Sequence, residues 1–315
     1  MNISDFGPRV VTLCAVCAML AGCALAGGLP SRPSGAATGA AGVSWAAPGS
    51  ASADLLYVSD VGTNKVNVYS YPAGKLEEVL SGFSRPQALC TDASGDVFVP
   101  DAIASKIYEY QHGAKEPKVV LSDPGEQPGD CAVDPVTGTL AVTNVSTPYT
   151  GPGDLVVYAD ARGAPRKLKD SKITYYLYCG YDPRGNLYLD GMSSGNFEFA
   201  ELPKGSSTFT NITLNKTFPY PGAVQWDGHD VAVGDYESNA IYQFKISGQR
   251  GTKVGTTHLG GSSYAIGFWI AGSTVIGPND DSGTVMFWKY PAGGTHTEDI
   301  KGLKNPWGAV VSSAK

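Results

Sequence analysis

Three cysteines, a recurring Asp or Asn, and a crowd of tyrosines are the side chains of this 315-residue chain with chemistry to offer. Cys90, Cys131 and Cys179 fall in copies of one strand motif that opens on Pro or Tyr. Cys90 lies four residues after its opening Pro and Cys131 three, so the two face opposite sides of neighbouring strands. Opposite faces can meet, and a Cys90–Cys131 disulfide is one reading. Three buried thiols acting as small hydrophobes is the other. Cys179 shares the parity of Cys131 and is not its partner. The one Cys-x-x-Cys, Cys14 to Cys17, lies in the apolar run near the N-terminus, and His112, His229, His258 and His296 show no zinc-ligand spacing.

The carboxylates recur with a rhythm. Asp60, Asp101, Asn144, Gly191 (with Asp190 beside it), Asp235 and Asn279 each end a short apolar run. Placed on one face, they offer either a ring of oxygen ligands for a divalent cation or short acceptors that satisfy their own turns. The aromatic residues gather elsewhere in the rhythm. Tyr175, Tyr176, Tyr178, Phe218, Tyr220, Tyr264 and Trp307 precede or begin the Pro-x-x strands, together with the single acid Asp130. Such rings suit a sugar or peptide ligand, or else they plug a narrow channel. No nucleophile elbow, phosphate loop or dinucleotide fingerprint is present, and Gly260-Gly261-Ser262-Ser263 has no helix pattern behind it.

These residues need a frame, and the frame is a repeat. Runs of the type LYVSD begin at Leu56, Val97, Leu140, Leu187, Val231 and Val275, spaced 41, 43, 47, 44 and 44 residues apart. Each is followed by a second run, a turn such as Pro72-Ala73-Gly74 or Pro291-Ala292-Gly293, a more polar third run, and a closing motif such as residues 86–92. Four strands in six units predict an all-β, six-bladed β-propeller with four-stranded blades over residues 54–315. The closing motif resembles that of the NHL-type repeat, which implies that it is the innermost strand of its blade. The chain then enters on a second strand and leaves on an innermost one. The C-terminal strand is therefore expected to pair with the N-terminal strand, close the ring, and hide both edges. A composition of 40 Gly, 21 Pro and 17 Tyr with 17% charged residues agrees with many short strands and turns.

Ahead of the repeat, Arg9 precedes an apolar run from Val10 to Leu20, too short to span a bilayer, that ends in Leu20-Ala21-Gly22-Cys23. Residues 24–53 are almost entirely Ala, Gly, Ser and Pro around a lone Trp45, the composition of a flexible tether. A net charge of −6 with no basic patch argues against nucleic acid as a partner.

Two resemblances follow from these motifs. Leu20-Ala21-Gly22-Cys23 resembles the lipobox of bacterial lipoproteins, which implies a signal peptide over 1–22, diacylation of Cys23, and a tether over 23–53; cleavage after Ala26 as an ordinary secretory signal is the alternative. The units around Asp92-Ala-Ser-Gly95, Asp134-Pro-Val-Thr-Gly138 and Asp182-Pro-Arg-Gly185-Asn186 resemble the NHL-type repeat, whose Asp-x-x-Gly strand is innermost. Lipobox, tether and YPAG turns together look like uncharacterised bacterial envelope lipoproteins with six-bladed propellers. The resemblances imply an exported protein, held at the cell membrane or outer membrane through its lipid, that binds a ligand or envelope protein without catalysis. No cofactor is expected. The six-bladed lactonases, which the fold also resembles, hold a metal near the axis with a Glu, an Asn and an Asp. Here the inner strand starts offer Gln87, Asp130, Tyr178, Ala223, Ala265 and Gly308, only one of them acidic. A metal-dependent lactonase-type hydrolase is therefore the alternative, and a scaffold with no small ligand is a second.

Overall fold

The computed structural model describes residues 53–146, 152–262 and 267–315. The expected signal peptide, Cys23, most of the tether and Tyr264 lie outside them. The described chain forms six antiparallel sheets arranged as a six-bladed β-propeller. From the innermost strand outward, the first blade is Pro306–Ser312, Leu55–Asp60, Lys65–Ser70 and Leu76–Leu80. The second is Cys90–Thr91, Val97–Asp101, Lys106–Tyr110 and Val119–Ser122. The third is Pro128–Val133, Leu140–Asn144, Asp154–Tyr158 and Arg166–Leu168. The fourth is Tyr175–Tyr181, Leu187–Ser193, Asn196–Leu202 and Thr210–Asn211. The fifth is Pro221–Trp226, Val231–Asp235, Ala240–Ser247 and the long Arg250–Gly260, which also takes Thr213–Leu214 and Gly294–Thr295 in parallel. The sixth is Trp269–Ala271, Thr274–Asn279, Thr284–Lys289 and Glu298–Lys301.

The repeated LYVSD-type runs are the second strands, and neighbouring blades cover both of their faces. Leu55–Asp60, Val97–Asp101, Leu140–Asn144 and Val231–Asp235 are buried throughout. Their apolar members build the hydrophobic layers between blades, and their polar members need partners because water does not reach them. The Asp-x-x-Gly turns supply their own. Asp92 accepts the backbone N–H groups of Ser94 and Asp96, and Asp182 those of Arg184 and Asn186. Gly95 and Gly185, at φ +84° and +87°, take the left-handed step that lets those turns close.

Closure is by the two ends of the described chain. Pro306–Ser312 pairs antiparallel with Leu55–Asp60, Leu55 opposite Ser312 and Tyr57 opposite Val310. The His112 ring fastens the seam from the second blade. Its Nε2 donates to the Ala53 carbonyl at 3.1 Å, and its Nδ1 shares a hydrogen bond with Ser312 Oγ at 2.7 Å. Gly113 N–H donates to the buried Tyr57 phenol oxygen beside it.

Cys90 and Cys131 form a disulfide between the inner strands of the second and third blades, with Cα atoms 5.6 Å apart. Cys179 is a buried free thiol. A separation of 41 residues is worth about 4 kcal/mol in loop-closure entropy. Alkylation under denaturing, non-reducing conditions is therefore expected to label Cys179 and spare Cys90 and Cys131; label on both of those would dispose of the bridge. Deleting residues 306–315 is expected to expose the edge of Leu55–Asp60 and lower Tm by more than about 10 °C. A truncated chain that melted like the full one would contradict this closure.

Candidate functional site

The repeated Asp and Asn are spent on building the ring. Asp60 accepts N–H groups from Gly62 in its own turn and from Lys304 and Asn305 in the loop that enters the inner strand. Asp101 does the same with Ala104, Ser84 and Arg85. Asp235 takes Ser238 N–H and the Lys216 ammonium. Each clasps the chain's passage from one blade into the next. Asn144 inverts the pattern, donating from Nδ2 to Asp123 and to Asp154, each at 2.9 Å. Among the described residues, no three His, Cys, Asp or Glu side chains come together as a metal centre.

Asp190 does not belong to that ring. It stands one place earlier, where the first blade has Ser59, and does the same work. Ser59 Oγ accepts Gly308 N–H, and Asp190 Oδ1 accepts Tyr178 N–H at 3.0 Å. Gly308 and Tyr178 are equivalent because every described inner strand but the sixth carries one extra residue near its start. The pairs Pro86–Asp101 and Cys90–Phe98 bracket it in the second blade, and Pro128–Asn144 and Asp130–Thr143 in the third. The first, fourth and fifth blades shift register in the same place. Such a bulge re-aims a side chain. It brings Ala88, Asp130, Tyr178, Ala223 and Gly308 to one level, so Ala88 replaces the expected Gln87 in that set.

At this level the fourth blade provides a centre, the Tyr178 phenol. Burial raises its pKa well above the usual tyrosine value, and Asp190, Asp130, Tyr236 and Asp280 push it further. Those neighbours come from four consecutive blades, so the cluster lies about the propeller axis. Asp130, which accepts Cys179 N–H at 2.9 Å, is lifted by burial to about 7. Asp190 is lifted well above the carboxylate range, first by burial and then by Asp130. Asp280 is lifted to about 6, again by burial and then by Asp281. Two of these carboxyls keep an oxygen with no hydrogen-bond partner, Asp190 Oδ2 and Asp280 Oδ1, and the Gln87 amide nitrogen is likewise unmatched.

Aromatic rings edge the cluster. Tyr220 and Tyr236 lie 5.0 Å apart, tilted by 38°. Tyr236 and Trp307, both half-buried, pack on the hydrophobic group that includes Tyr178. Of the aromatic face expected from sequence, Tyr178, Tyr220 and Trp307 thus come to the axial region with Asp130. Tyr176 does not. It is fully buried with Leu155, Ile173 and Cys179, and its phenol oxygen accepts Asp170 N–H at 2.5 Å. Tyr175 is half-buried, with its carbonyl oxygen against Gly191, where a Cβ would meet it at 2.2 Å. Phe218 is core, stacked on Phe197 at 4.5 Å. Sequence reasoning missed Asp190, Tyr236 and Asp280 as site residues. The last two each stand one place after a repeated Asp or Asn, and strand alternation would have turned both inward.

No family model matches the sequence, and neither does any curated protein. Solved structures do. A chain in the crystal structure of a nidogen/laminin complex is similar at a TM-score of 0.67 and 14% identity, over 83% of this chain and 99% of that one. A Bacteroides caccae protein of unknown function follows at 0.63 and 11%, with the same coverage of 83% and 99%. A functionally unknown protein of Desulfotomaculum acetoxidans DSM 771 is similar at 0.57 and 10%, again over 83% and 99%. The likeness is one of fold alone.

Away from the axis, a cleft of about 550 Å³ between the first and sixth blades is lined by Asp60, Tyr69, Leu76, Phe287, Asp299 and Ile300. Asp60 there is held by backbone amides, and Asp299 lies 3.1 Å from His296 Nε2 and 3.5 Å from Lys301 Nζ. The more deeply buried carboxyls around Tyr178 make the axial cluster the better candidate.

Asp130 has a consequence for stability. Its pKa is raised in the fold, so the folded chain binds the proton more tightly than the unfolded one. Stability is then full below about pH 4, falls as pH rises to about 7, and is level beyond. Asp130→Asn keeps an acceptor for Cys179 N–H and cannot ionise. Its stability relative to the parent is expected to improve by about 2–4 kcal/mol between pH 4 and pH 8. Denaturant melts at the two pH values read this directly, and a difference that did not change with pH would refute it.

Proposed function

We propose that this protein is a non-catalytic ligand-binding propeller, displayed outside the cytoplasm on a lipid anchor at Cys23 and working through the axial face described above. The observation that carries the proposal is the group around Tyr178, which takes carboxyls from three blades, two of them (Asp190 and Asp280) with an unmatched oxygen, beside half-buried aromatic rings. Buried polar groups left without partners cost free energy that a ligand recovers. The NHL-type repeat and the lipobox support placing the chain among envelope lipoproteins with propellers. A Cys90–Cys131 disulfide suits an oxidising compartment outside the cytoplasm. The hydrolase alternative has less to stand on, because Asp60, Asp101 and Asp235 are engaged in holding the ring and Asn144 in bridging two other carboxyls.

Two experiments address the two halves. Cys23→Ala is expected to move the protein from the membrane fraction to the soluble one; unchanged membrane association would refute the anchor. A small-molecule screen by ligand-observed NMR is expected to give hits that Tyr178→Phe and Tyr236→Ala weaken. A screen whose hits were untouched by both would remove the axial face as the binding site.

A further inference from the structure

We infer that the axial face recognises an organic cation, a primary ammonium or guanidinium group carried by a small molecule or by a Lys or Arg side chain of a partner. The inference rests on the ligand-binding role proposed above and adds the chemistry of what binds.

Several buried carboxylates of this chain have a cationic partner. Glu109 and Asp96 share Lys118, and Arg162 pairs with Glu109 as well. Glu126 and Asp154 share Lys167, and Asp235 has Lys216. At the axis three carboxyls gather with no such counter-ion. Among the described residues, no Lys, Arg or His forms an ion pair with Asp130, Asp190 or Asp280. Asp190 and Asp280 meet only part of their hydrogen-bonding capacity. Asp190 is 0% exposed with Oδ2 unmatched, and Asp280 is 8% exposed with Oδ1 unmatched and a long 3.5 Å contact from Asn305 Nδ2 to its other oxygen.

An ammonium or guanidinium carries only donors, and several of them. It supplies N–H groups to the unmatched oxygens, and its charge favours the ionised form of carboxyls that burial otherwise holds protonated. The surrounding rings fit the same ligand, since the faces of Tyr and Trp attract cations at separations up to ~6 Å. Tyr236 and Trp307 pack on the hydrophobic group that includes Tyr178, and Tyr220 lies 5.0 Å from Tyr236. An anion offers acceptors only and opposes ionisation of the carboxyls. A neutral polyol can donate hydrogen bonds, but it does nothing to favour the ionised carboxyls and gains less from the ring faces. The chain's net charge of −6 adds a long-range attraction for cations.

The test uses the full chain and three probes in calorimetry: putrescine, the capped tripeptide acetyl-Gly-Lys-Gly-amide, and glucose as a neutral polyol. Putrescine or the tripeptide is expected to bind, and whichever is tighter tells a free amine from a partner's side chain. Asp280→Asn and Tyr236→Leu are expected to weaken that binding about tenfold each. Asp299→Asn, in the flank cleft, is expected to leave it unchanged. Asp280→Glu, which restores the charge, guards against a variant that merely fails to fold, and is expected to recover most of the affinity. Glucose binding that depends on Tyr236, with no binding of either amine, would overturn this inference and leave the ligand-binding role standing. Absence of binding by all three probes, together with an NMR screen whose hits ignore Tyr178 and Tyr236, would overturn both.

Discussion

The closeness of the inner strands at the axis governs the rest of this ring. A Cβ on Gly308 would lie 2.6 Å from the Ala88 Cα, and one on Gly180 would lie 2.5 Å from the Val224 carbonyl oxygen. One on Gly267 would meet the Trp307 carbonyl oxygen at 2.5 Å. At these separations backbones nearly touch, so side chains are excluded where blades converge and are admitted only where a bulge turns them aside. Ala88 N–H even donates to the Gly129 carbonyl oxygen across the gap between blades. The few side chains that do reach the axis are therefore held in little space and with little water. This is the physical reason that ordinary carboxyls there behave as weak acids.

Blade symmetry divides the labour among the acids. Positions that recur in every unit serve the ring. Asp60 and Asp101 each stitch a second strand to two backbone amides of the loop ahead of the inner one, and Asp235 reaches that loop through the Lys216 ammonium. Positions where the repeat is broken carry what is individual to this chain. Asp190 stands in for a serine, Tyr178 for a glycine or alanine, and Asp280 for the small apolar residues Val61 and Ala102. All three exceptions fall on the fourth and sixth blades and face the same centre. Exceptions to a repeat are a better guide to chemistry than the repeat itself.

That asymmetry explains what was legible from sequence. The blade count followed from spacing, because the hydrophobic runs are long enough to show their period, and the order of strands and the closure by the C-terminal strand followed from that count together with the resemblance to the NHL-type repeat. Opposite parities for Cys90 and Cys131 left a disulfide and three buried thiols both open, and the choice depended on how near neighbouring inner strands come. The candidate site was half visible. Asp130, Tyr178, Tyr220 and Trp307 were found because they break an apolar motif. Tyr176 was misplaced because one extra residue in the inner strand changes which side chain turns inward, and no composition or propensity announces that residue. Asp190 was passed over as a neighbour of Gly191 for the same reason, since its role depends on a register that only pairing reveals.

The clasp between Asp60 and the amides of Lys304 and Asn305 joins residues 244 and 245 positions apart. A contact of that span forms only after nearly the whole chain is available, and non-local pairing of this kind is slow. During synthesis the first strand made, Leu55–Asp60, must wait for the last, Pro306–Ser312, with one buried edge still open. Any cell that makes this protein must therefore keep the nascent edge from pairing with another chain until the final segment arrives.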